Sequence, residues 1–215
     1  PIIEGMKISV KSMNSSAAER ETHRMDTDMS TKSVLIVFAI ILIGLVITFW
    51  DFVSAVPISA GLMWTLVVVG VVVALLIGFF VAAACGYMAG LIGTSASPIS
   101  GIGILATIIS SLVVYFIASE NNLFATEAGV QFATAMAIFM TSVVIAIASI
   151  SNDNLQDLKT GQLVGATPWR QQIALLLGSV AGAIAIAPVL NLLYQAYGFT
   201  GALPRAEMDP NAALS

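Results

Sequence analysis

Charge is the scarcest property of this 215-residue chain: 9% of its residues are Asp, Glu, Lys or Arg, and 58% are hydrophobic. A soluble domain carries about 25% charged residues. The composition therefore excludes an ordinary soluble fold and indicates an integral membrane protein. The net charge of −4, with no basic cluster, gives no footing for nucleic acid. Cys85 is the single cysteine, so an intrachain disulfide is impossible, and its place in an apolar run reads as a small buried residue. His23 is the single histidine and lies in a charged linker, with no cluster of His and Cys around it to ligate a metal. A phosphate-binding glycine-lysine loop is missing too. No cofactor is expected. A signal peptide needs an apolar core of 7–15 residues near its start, and residues 1–32 hold none. These residues are polar and carry five of the eight bases, Lys7, Lys11, Arg20, Arg24 and Lys32. They read as an internal cytoplasmic loop, and the chain as a fragment of a longer protein.

What is present is a series of five apolar runs at 33–50, 62–86, 102–118, 131–150 and 171–194. Each is long enough to cross about 30 Å of hydrocarbon as a helix, the shorter ones barely. Barrel strands would be about ten residues long and alternate in polarity, which these runs do not. The expected fold is an all-α integral membrane bundle of about five transmembrane helices over 33–196, followed by a polar tail at 197–215. With five crossings, residues 1–32 and 151–170 share a side. That side holds seven basic residues and the other holds Arg205, which places the seven in the cytoplasm, inside the cell's inner membrane. Trp50 and Trp169 fall at span ends, where indoles favour the interface. Gly86, Gly90 and Gly93 share one helix face, and Ala174, Gly178 and Gly182 another, a spacing suited to close helix packing. Pro188 predicts a kink in the fifth run.

Two polar stretches interrupt this apolar body. Residues 52–119 contain no acid or base, yet two spans use only about 40–45 of them. The excess, near 86–101, is rich in Gly, Ser and Pro. Irregular backbone at membrane depth must be satisfied by protein or by a wet cavity. Ser97 precedes a proline, which disfavours helix, and Gly93 and Gly101 permit backbone that other residues resist. A broken helix near 93–101 follows. Its backbone and the hydroxyls of Thr94, Ser95, Ser97 and Ser100 can bind a polar substrate, since transporters build midplane sites from broken helices. A plain turn between two spans is the competing reading. The second stretch, 152–170, holds Asp153 and Asp157 four residues apart, on one face if helical, with Gly161, Gly165 and Pro168 expected to end the helix. Proton exchange, cation contact, an ion-pair latch and a solvated loop all remain open for it.

Gly86-Tyr-Met-Ala-Gly-Leu-Ile-Gly, then Ser97-Pro-Ile-Ser-Gly, then Asn152-Asp-Asn-Leu-Gln-Asp-Leu-Lys-Thr-Gly-Gln-Leu-Val-Gly-Ala-Thr-Pro resemble the oligopeptide transporter family. That family includes the yellow-stripe-like carriers of metal chelates, and the bacterial members look most similar. The resemblance covers most of residues 20–195. It implies a secondary active transporter, proton-coupled, importing oligopeptides or peptide-like metal chelates. It also implies further transmembrane helices beyond these five as partners, together with membrane lipid and the substrate itself. On this basis Gly93, Ser95, Ser97, Pro98, Ser100 and Gly101 are the expected substrate-binding break. Asn152, Asp153, Gln156, Asp157, Lys159, Thr160 and Gly161 are the expected coupling or gating motif. The family resemblance implies an Asn two residues before the proline, where this chain has Ala96.

Two other classes compete. A channel component needs polar stripes along whole helices, and the first, third and fourth runs contain no acid or base. A metal-dependent membrane enzyme using Asp153 and Asp157 needs more clustered acids than this chain supplies. The chain is not expected to be an enzyme.

Overall fold

A computed structural model describes residues 27–198. Among these residues every regular element is helical, and five helices are long and apolar enough to cross a membrane. In order they are α1 (Thr31–Ser54), α2 (Ala60–Ile92), α3 (Ile99–Glu120), α4 (Glu127–Val164) and α5 (Pro168–Tyr197). Side-chain oxygens cap three of the starts. Ser30 accepts from the Ser33 N–H, Ser59 from Leu62 and Thr126 from Gly129, each satisfying an otherwise orphaned first-turn donor. The chain divides into two compact units, Pro1–Trp169 and Arg170–Ser215. In the second unit, α5 continues through Pro188 without ending there.

In the first unit, α2 and α4 form the central pair. Gly78 lies against Ile147, and Gly86 against Ser151 and Leu155. The partner numbers rise together, so the two helices run parallel. Between those levels the Ser151 hydroxyl donates to the Ala82 carbonyl at 2.7 Å. The missing side chains at Gly78 and Gly86 are what allow this approach, because a Cβ at either would sit under 3.0 Å from its neighbour. Helix α3 runs antiparallel to α4, with Gly103 against Ile145 and Thr94, just ahead of α3, against Gln156. Helix α1 anchors through Phe49, whose ring fills the space above Gly70 on α2 and meets Phe139 of α4 edge-on at 4.9 Å. Phe52 stacks on the other side of Phe139 at 4.4 Å. Most of α1's remaining large residues, among them Ile36, Ile40 and Ile43, face outward. In lipid this is ordinary, since hydrocarbon is as good a solvent for Ile as a protein core.

Hydropathy marked the lipid-crossing lengths rather than the helix lengths. Helix α2 continues from residue 86 to Ile92, and α4 continues from 150 to Val164. At 38 residues α4 is about 57 Å long, well over the hydrocarbon thickness. Polar residues do not by themselves stop a helix, and residues 151–164 contain no proline. The stop comes at Gly165, which takes φ 73°, ψ 26° and donates to the Gln162 carbonyl, while the Ala166 N–H reaches back to the Gly161 carbonyl at 2.8 Å. The expectation that Gly161 breaks the helix is therefore corrected. It lies buried in the last turn and accepts the closing bond. Of the small-residue rows, Gly86 packs within this chain, while a Cβ at Gly90, Gly93, Gly178 or Gly182 would meet nothing within 4 Å. The row that brings α2 onto α4 is Gly78, Ala82 and Gly86, four apart.

The Trp169 N–H donates to the Thr27 carbonyl at 3.3 Å. This bond ties the chain before α1 to the chain after α4. The start of α1, the turn between α2 and α3, and the far end of α4 thus share one end of the bundle, in keeping with the crossings counted in the sequence.

Candidate functional site

The expectation of a broken helix over 93–101 is corrected: the interruption between α2 and α3 spans only residues 93–98, because Ile99, Ser100 and Gly101 already form the first turn of α3, and since α3 runs back antiparallel it is a turn between two spans rather than a break within one. Gly93 turns the chain with φ 88° and ψ 164°, a conformation that a side chain would strain. Thr94–Ala96 make one 3-10 turn, closed by the Ser97 N–H on the Thr94 carbonyl at 3.1 Å. Ser97 is extended, as a residue before proline should be, and Pro98 precedes α3 without a side-chain cap.

The interruption is held by α4. In a continued helix the Thr94 N–H would bond the Gly90 carbonyl. It donates instead to Gln156 Oε1 at 2.9 Å. The two stretches singled out in the sequence therefore meet. Geometry divides each of them. In the interruption, Ser97 is half-buried, whereas Ser95, Pro98, Ser100 and Gly101 are exposed. On α4, Asn152 is 2% exposed and Gln156 is half-buried, one turn apart on the inward face. Asp153 and Asp157 lie one residue further round, share a face, and are exposed, as are Lys159 and Thr160. Asp157 and Lys159 do not pair, since Lys159 Nζ bonds Gln162 Oε1 at 3.1 Å. The motif is thus an amphipathic end of one helix, with amides inward and charges outward.

Two buried atoms at this junction have no hydrogen-bond partner: Asn152 Oδ1 and Ser97 Oγ. Buried polar groups are satisfied in the great majority of cases, so such orphans call for an explanation. Sequence reasoning marked Gly86 for close packing but missed Ser151 as the partner that sets α2 against this part of α4. The signal was available in the four-residue spacing of Gly78, Ala82 and Gly86. Among the described residues no group of three His, Cys, Asp or Glu could hold a metal ion.

Five long apolar helices, one of them extended by a polar run that grips the turn between two others, define a multi-pass α-helical membrane protein. The chain belongs to the OPT oligopeptide transporter family, which matches residues 3–214, and that is a family of transporters rather than of enzymes. A protein of Haemophilus influenzae provisionally named an oligopeptide transporter is 54% identical over all of this chain. The alignment takes in 34% of that protein, so the chain spans about a third of its curated relative. No solved structure matches the chain.

Proposed function

We propose that this chain forms part of a secondary active transporter that takes up oligopeptides or peptide-like metal chelates across the inner membrane, driven by protons. Family membership over residues 3–214 is the observation that carries the reading. The junction of the α2–α3 turn with α4 supports it, because polar groups gathered at the ends of membrane spans can meet polar cargo entering or leaving the bundle. The excess of bases on this side supports a cytoplasmic junction. Residues 93–101 contact the substrate or its exit path, and residues 152–161 gate or couple that path. Asp157, exposed on the charged face and inside the Gln-Asp-Leu-Lys-Thr-Gly run, carries the exchangeable proton, while Asp153 solvates the helix nearer the membrane.

The test is uptake of a labelled tripeptide by proteoliposomes holding the full-length protein, with and without an inward proton gradient, the outside being the more acidic. Accumulation that needs the gradient supports the proposal. Equal entry with and without it, or peptide hydrolysis without entry, refutes it. The membrane-enzyme reading gains nothing here, since Asp153 and Asp157 face outward with no third acid, His or Cys grouped with them among the described residues.

A further inference from the structure

Register places the two orphaned oxygens of the junction at the same level of the bundle. Gly103 of α3 lies against Ile145, and Thr94 bonds Gln156. Ile145, Asn152 and Gln156 are seven and four residues apart and share one face of α4. Asn152 therefore falls between the two contacts, level with residues 97–99 that connect Thr94 to α3. Its Oδ1 is an unpartnered acceptor on a side chain 98% buried (2% exposed), and Ser97 Oγ is unpartnered on the facing segment. Helix α2 ends at the same place. Because Gln156 takes the Thr94 N–H, the Gly90 carbonyl loses its usual helical donor at the negative end of the α2 dipole. The site thus gathers neutral oxygens of one polarity and no carboxylate, since Asp153 and Asp157 are exposed on the neighbouring face.

We infer that this junction binds a small monovalent cation through Asn152 Oδ1, Ser97 Oγ and the carbonyl end of α2. Neutral oxygens at a helix C-terminus replace the hydration shell of such a cation without the cost of a buried counter-charge. The cation is either an inorganic ion such as sodium or the ammonium end of a peptide. The inference needs the junction alone, so it stands or falls separately from the transport reading.

The experiment is thermal unfolding of the full-length protein in detergent with sodium chloride, methylammonium chloride or choline chloride at matched concentration. Sodium or methylammonium should raise the midpoint over choline, which is too large for the site, by about 2–4 °C. A sodium response identifies an ion site, and a response to methylammonium alone identifies a site for an amine. Asn152→Leu should abolish the shift, and Asn152→Asp, which adds a negative charge, should give the same shift at several-fold lower cation. Should Asn152→Leu fail to accumulate, Ser97→Ala must weaken the response several-fold. No shift with either cation, a shift that survives Asn152→Leu, an undiminished response in Ser97→Ala, or loss of the shift in Asn152→Asp overturns the inference. The last result would indicate an anion or a water in place of a cation.

Discussion

The two ends of the first compact unit are built on opposite principles. At one end Phe49 and Phe52 of α1 pack on Phe139 of α4, and Phe49 also covers Gly70 of α2, with Met136 and Met140 fully buried beside them. One buried oxygen near this level, Ser110 Oγ on α3, has no partner, but the backbone there is continuous helix. At the other end the chain leaves helix at Gly93, re-enters it at Ile99, and is held by one amide, Gln156. Two buried oxygens there have no partner. The aromatic end has a single way to pack. The polar end holds its parts by a few exchangeable hydrogen bonds. A protein that must open and close needs both, a fixed fulcrum and a contact that breaks cheaply. The difference teaches where to look for function: at the end whose packing is left incomplete.

The largest expected effect is at the aromatic end. Phe49→Ala should cost about 3–5 kcal/mol of stability, read as a fall in folded protein in detergent, because the ring fills the space left by Gly70 and nothing else can. Gly70→Leu should do the same from the opposite side. If either variant is as stable as the parent, the fulcrum is elsewhere. Next comes Gln156→Leu, which strips the acceptor from the half-buried Thr94 N–H. A loss of about 1–3 kcal/mol is expected, and hydrogen exchange should quicken at residues 94–97 but not around Phe52. Uniform quickening at both ends would show that the two are not independent. Asp157→Asn should leave stability unchanged and cut gradient-driven uptake at least tenfold, about 1.4 kcal/mol in barrier. Asp153→Asn should cut it less. Equal losses would mean that the outward charges act as a group. The smallest effect is expected for Ser151→Ala, where one interhelical hydrogen bond in lipid is worth about 0.6 kcal/mol, visible as a small drop in melting temperature.

The sequence made the apolar body easy to read and the polar end hard. Hydropathy counts the spans because lipid punishes every polar side chain that faces it. Gly93 and the Ser97-Pro98 pair announced the interruption, since one frees the backbone and the other forbids helix before proline. Residues 151–164 misled, because polar composition resembles a loop although nothing in it stops a helix before Gly165. Once that run is helical, phase alone assigns the roles. Asn152 and Gln156 turn inward, and Asp153 and Asp157 turn outward. Which glycines pack could not be read, because Gly86 and Gly90 look alike on a helical wheel and only the path of α4 separates them.

The central claim is that the interruption and the polar end of α4 act as one moving contact in transport. The most direct measurement is a cysteine pair, Thr94→Cys with Gln156→Cys, in the full-length protein with Cys85 replaced by Ala, cross-linked by a short bifunctional thiol reagent in proteoliposomes. The account predicts efficient cross-linking, loss of peptide uptake when the link is made, and recovery on reduction, while either single cysteine transports after the same treatment. A pair that cross-links fully and still transports, or that never cross-links, would contradict it.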